Sequence, residues 1–114
     1  MSDTIFDKIL RAEIPASLVY EDEHVIAFKD ISPQAPVHVL VVPRTKFLNL
    51  TQAEDQTDAV LAGFMRGISR CAEHLGLDVD GYRVVVNNGT RAQQSVAYVH
   101  AHILGGRDLS WPPG

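Results

Sequence analysis

The chain is 114 residues long, 46% apolar and 21% charged, a one-domain length with an ordinary globular composition, which excludes intrinsic disorder and predicts no internal domain boundary. Ten basic residues against fourteen acidic ones, a net charge of −4, exclude a protein whose affinity comes from neutralising a nucleic-acid backbone, although a locally positive site for a small anion stays open. No apolar run approaches about 18 residues, the charged start MSDTIFDKIL is no signal peptide, and the lone Cys71 allows neither an intrachain disulfide nor a paired-cysteine metal knuckle; these features predict a cytoplasmic protein without membrane contact.

In chain order, residues 3–12 (DTIFDKILRA) place Ile5, Phe6, Ile9 and Leu10 at helical spacing behind Asp3 or Thr4 as a cap, and Pro15 halts the pattern. Residues 18–22 and 25–30 read as strands of a hairpin turning at Glu23-His24. Two prolines make 31–36 a loop, and the β-branched run 37–43 (VHVLVVP) predicts a well-buried strand. A long helix follows: Thr51 and Glu54 have capping-box spacing, Val60, Leu61, Phe64, Met65, Ile68, Cys71, Ala72 and Leu75 repeat with its period, and Gly76 fits its stop. A strand over 82–87, a polar loop over 88–94 and a strand over 95–104 complete the core, and 107–114 is a tail. Short connections between neighbouring strands predict a mostly antiparallel sheet with grouped helices, an α+β fold.

Chemistry concentrates on His100 and His102. One residue apart on an extended strand, both rings leave the sheet on one face, while Val99, Ala101 and Ile103 point the other way, under the long helix. His38, on another strand, shares its face with Leu40 and Val42. Three readings compete: core histidines satisfied by hydrogen bonds, a zinc site on His38, His100 and His102, or catalysis in which one neutral imidazole attacks while its protonated neighbour donates to a leaving group. Repulsion between two cationic rings would drive their titrations apart and suit that division of labour, but spacing alone does not choose. The loop 87–95 (NNGTRAQQS) is either a turn or a set of donors for an anion beside the rings. Phe28 to Ile31 (FKDI) is either a core residue with a solvated strand end or a nucleoside seat whose carboxylate accepts from ribose hydroxyls.

Taken together, 26–44 (IAFKDISPQAPVHVLVVPR), 82–89 (YRVVVNNG), 94–96 (QSV), 100–107 (HAHILGGR) and 111–114 (WPPG) resemble the histidine triad family, specifically its branch of nucleotide-binding phosphoramidases, over nearly the whole chain. The family signature is three histidines alternating with apolar residues; here the second and third are His100 and His102, and Tyr98 stands at the first. The resemblance implies a five-stranded antiparallel sheet per subunit, joined into ten strands across a homodimer, with the long helix at the interface and Trp111 reaching the partner's site. It implies hydrolysis of purine nucleoside 5′-phosphoramidates, such as adenosine 5′-monophosphoramidate, with no metal or other cofactor. His100 would be the nucleophile forming a nucleotidyl-histidine, His102 a phosphate contact and proton donor, and His38 a further active-site histidine. Ile5, Phe6, Ile9, Phe28, Ile31 and Leu40 would line the base pocket, Asp30 would hold the ribose, and Asn87 and Ser95 would contact the phosphate or leaving group. Three departures border the substrate: Tyr98, which keeps a hydroxyl but does not titrate near neutrality, Gln93 where relatives commonly have glycine, and Lys29 where they often have histidine. The change at Tyr98 opens two alternatives, a nucleotide-binding scaffold without turnover and a zinc protein.

Overall fold

The computed structural model describes residues 2–114. Its first helix, α1 (Ile5–Leu10), opens on a reciprocal cap, in which the Thr4 hydroxyl accepts from the Asp7 amide while the Asp7 carboxylate accepts from the Thr4 amide. Phe6 is its buried residue.

Five strands follow: β1 (Leu18–Glu21), β2 (Val25–Lys29), β3 (Val37–Pro43), β4 (Arg83–Val85) and β5 (Ala101–Gly105). They form one antiparallel sheet in the order β1-β2-β3-β5-β4, the predicted α+β architecture. The β1–β2 turn closes because the Asp22 carboxylate accepts from the amides of both His24 and Val25, at 2.8 and 2.9 Å. Register separates the two faces. Val25, Ala27, Val39, Val41, Ala101 and Ile103 share one, and Ile26, Phe28, His38, Leu40 and His102 share the other.

The long helix α2 (Asp58–His74) lies on the first face, across β1, β2 and β3. Its buried stripe runs through Gly63, Phe64, Gly67, Ile68, Cys71 and Ala72. Because the glycines let the backbone come close, the stripe is centred on their side, and Met65, expected in the core, is 68% exposed. A Cβ at Gly67 would stand 2.6 Å from the Val25 side chain. Gly67→Ala is therefore expected to destabilise the fold by about 1–3 kcal/mol through overpacking, read as a lower Tm in a thermal melt; an unchanged Tm would contradict this close approach.

Three boundaries differ from the sequence expectation. The α2 cap is Thr57, whose hydroxyl accepts from the Val60 amide, because Thr51 belongs to a separate 3₁₀ turn (Leu50–Asp55) capped by Asn49 and ended by an extended Gln56. Strand β4 is shorter than 82–87. The regular part of β5 begins only at Ala101, since residues 95–100 leave the sheet and are tied to the end of β3 and the chain after it: the Val99 amide donates to the Phe47 carbonyl at 2.9 Å and the Tyr98 hydroxyl to the Pro43 carbonyl. Among the described residues no helix is long and apolar enough to cross a membrane.

Candidate active site

The β3–β5 ladder sets Leu40 opposite His102 and His38 opposite Leu104, so His38 and His102 meet diagonally on the face away from α2. His38 Nε2 lies 2.9 Å from His102 Nδ1. His100, one residue before β5, brings its ring centroid to 5.1 Å from that of His102.

Backbone partners fix where the protons sit. The Gln34 amide, which can only donate, lies 3.0 Å from His38 Nδ1, so a neutral His38 carries its proton on Nε2 and offers it to His102 Nδ1. A neutral His102 then keeps its own proton on Nε2. At His100 the order is reversed: Nδ1 lies 2.8 Å from the Tyr98 carbonyl, which can only accept, so Nδ1 is protonated and Nε2 holds a free lone pair. The two neighbouring rings are thus held in opposite tautomers.

Both are shifted toward the neutral form. Burial, then the charges of His100 and His38, push the His102 pKa down to about 4, with Asp30 opposing. Burial also lowers His100, against the hydrogen bond its Nδ1–H donates to the Tyr98 carbonyl and the charge of Asp30. Asp30 accepts from the Ser32 amide at 2.7 Å and stands 3.4 Å from His38 Nε2.

Above the rings opens a cavity of about 790 Å³, within the range of small-molecule sites. Its wall contains Ile5, Phe6, Ile9, Phe28, Lys29, Asp30, Ile31, Leu40, Ser95, His100 and His102, so most of the predicted site residues come together. Phe6 meets Phe28 and His100 edge-on, at 5.6 and 4.9 Å between centroids, and joins the apolar end to the imidazoles. Ile31, 98% exposed, stands free at the rim.

Five predicted residues lie elsewhere. His38 is behind His102, buried and outside the wall. Tyr98 does not border the cavity: it is 1% exposed, with its hydroxyl turned to the Pro43 carbonyl. Asn87 is not in the wall, and Gln93 is an exposed residue in the left-handed region (φ 62°) that ends the short turn Thr90–Ala92. Trp111, 80% exposed, stacks with the Arg83 guanidinium 5.7 Å from its ring centroid. Conversely, Ile14, Pro15, Ala16, Ser17 and Val96 line the cavity without having been expected to. Pro15 signalled only the end of a helix, and nothing local showed that the extended chain after it folds back over Phe28.

Of the three histidines expected to bind zinc, two share a cluster with a different third member. Asp30, His38 and His102 offer ligand atoms within 4.8 Å of one another, and His100 is not part of that group.

Residues 11–109 match the HIT domain family. A 14 kDa zinc-binding protein of Zea mays is 49% identical over 115 residues, covering 99% of this chain and 89% of that protein. Among solved structures, a HIT family hydrolase from Legionella pneumophila superposes with a TM-score of 0.91 at 39% identity, covering 98% of this chain and 100% of that one. A histidine triad protein from Clostridium difficile gives 0.87 at 38% identity, covering 96% and 97%.

Proposed function

The chain belongs to the HIT domain family, and from that premise we propose that it is a hydrolase of purine nucleoside 5′-phosphoramidates working through a nucleotidyl-histidine. The observation that carries this reading is the pair of opposite tautomers at the floor of an apolar cavity, one ring with a bare nitrogen and the next with an N–H to give. The base lies among Ile5, Phe6, Ile9, Phe28, Ile31 and Leu40, and Asp30 takes the ribose hydroxyls.

His100 Nε2 forms a bond to the α-phosphorus as the P–N bond breaks. The leaving nitrogen departs as an amine, taking the Nε2 proton of a cationic His102. In that form His102 Nδ1 also carries hydrogen and donates to His38 Nε2, so that His38 moves its own proton to Nδ1 and gives up the Gln34 amide. The bound phosphate anion opposes the burial that keeps His102 neutral, so this ring protonates more readily with substrate than without. Water then cleaves the P–N bond to His100, its proton passing to His102, which releases the nucleotide and restores both rings. Ser95, in the same wall, stabilises charge on the phosphoryl oxygens.

The test is release of AMP from adenosine 5′-monophosphoramidate by the purified protein in EDTA, followed by ³¹P NMR. The expected result is turnover at the rate seen without chelator. AMP binding without turnover would instead support a nucleotide-binding scaffold. Two copies are expected to associate through the exposed edge strand β4 and α2, where Val84 and Met65 lie bare, which analytical ultracentrifugation reads as a dimer mass.

A zinc reading is favoured by the Asp30, His38 and His102 cluster and by the name of the maize relative. Three donors suit a zinc site with an open position rather than a closed structural one, provided that His38 and His102 give up the proton they share. An ion held there would polarise a phosphoryl oxygen. Stoichiometric zinc in the purified protein, lost in His38→Ala, is what this reading requires; metal-free protein with full turnover removes it.

A further inference from the structure

We propose that Tyr98 is a positioning residue for His100: its hydroxyl, anchored on the Pro43 carbonyl, holds the Tyr98 backbone carbonyl where it keeps the His100 proton on Nδ1 and leaves Nε2 bare. The inference rests on the hydrolase reading for its kinetic part only.

The segment before Ala101 has no ladder partner, so the sheet does not set the peptide that orients His100. That peptide joins Tyr98 to Val99. Its carbonyl accepts from His100 Nδ1 at 2.8 Å, and its N–H donates to the Phe47 carbonyl at 2.9 Å. Since the peptide is planar, whatever turns one end turns the other. Rotation about its ends is checked by the Tyr98 side chain, which is fully buried and reaches back to the end of β3.

The ring is also held from two further sides. Phe6 of α1 packs edge-on at 6.1 Å, and Lys46 Nζ lies 5.5 Å from the ring centroid. Lys46 bonds the Asp7 carboxylate at 2.8 Å, so the brace runs into the cap of the helix whose Ile5, Phe6 and Ile9 form the cavity wall. Tyr98 therefore ties β3, α1 and the nucleophile together. Burial raises the phenol pKa, so the anchor stays a neutral donor across physiological pH. On this account tyrosine at the first triad position replaces a titrating group by a fixed strut.

The test uses the full chain with ¹⁵N-labelled histidine. Long-range ¹H–¹⁵N correlation spectra read the His100 tautomer, and steady-state kinetics with adenosine 5′-monophosphoramidate give kcat and KM. Wild type is expected to show the Nδ1–H form. Tyr98→Phe should show a mixture of tautomers, with kcat about tenfold lower and KM within about twofold, as misorientation of a reacting group predicts. Ile68→Val, a core change on the buried stripe of α2, should lower Tm and leave tautomer and kinetics alone. If Tyr98→Phe does not fold, Lys46→Gln is read in its place and should move the tautomer in the same direction by less. An unchanged tautomer in the variant that folds overturns the proposal, whether or not kcat falls. A shifted tautomer in a protein whose wild type releases no AMP supports the positioning role and removes the hydrolase reading.

Discussion

Replacement of His100 by alanine is expected to cut release of AMP from adenosine 5′-monophosphoramidate by about 10³-fold or more, because no other group near the cavity floor presents a bare ring nitrogen. His102 and His38 are engaged with each other, and the free nitrogen of His102 carries a proton. Denaturing the wild-type protein during turnover at alkaline pH, where a P–N bond to imidazole survives, and digesting it there should yield a peptide containing His100 heavier by one nucleotidyl group. The alanine variant should yield none. His100 is buried against Phe6, so its truncation also leaves a cavity and costs roughly 1–3 kcal/mol of stability. The comparison is therefore made well below the variant's Tm, with AMP binding as the check that the apolar pocket survives. A variant within about tenfold of wild type would remove covalent catalysis by this ring.

What the sequence made legible was mostly periodic or paired. Alternation set His102 opposite in direction to Ala101 and Ile103, and His38 in line with Leu40 and Val42; that the two histidines meet on one face away from α2 comes from the pairing of β3 with β5. The apolar set at Ile5, Phe6 and Ile9 looked like an ordinary helix face, and only the resemblance to the histidine triad family turned it into a pocket wall, where the structure has it. The misses share a cause, which is that long-range contacts decided them. Thr51 has the spacing of a capping box, but its amide and hydroxyl donate to Asn88, 37 residues away, and the helix cap lies further along at Thr57. Tyr98 keeps the parity of a site residue, yet the Pro43 carbonyl, 55 residues earlier, draws its hydroxyl out of the cavity. Met65 fits the apolar repeat, and the two glycines that rotate the buried stripe away from it are informative only once β2 is known to pass beneath them.

Acidification from pH 6.5 to about 4.5 is expected to destabilise the fold by an amount on the order of 1–3 kcal/mol, while most carboxylates are still mainly ionised. The folded His102 pKa is about 4 against an ordinary 6.5, and that of His100 is lowered too. Within this window the unfolded chain binds a proton at His102 and the folded chain largely does not, and the lowering at His100 acts in the same direction. Stability therefore rises with pH: it is fully present above 6.5 and is lost as pH falls toward 4. The groups facing His102 are His38, His100 and Asp30, of which only the carboxylate opposes the shift. Carboxylates held low by their partners, such as Asp7 and Asp22, add their own loss at still lower pH. Urea unfolding at pH 7 and 4.5 measures the difference, and His102→Gln, which keeps an acceptor for His38 without a titrating ring, should show a clearly smaller one. AMP should narrow the wild-type difference as well, since its phosphate favours the protonated ring and so adds more stability at pH 4.5 than at pH 7. If the variant lost as much stability as wild type, the burial of His102 would not be what keeps it neutral.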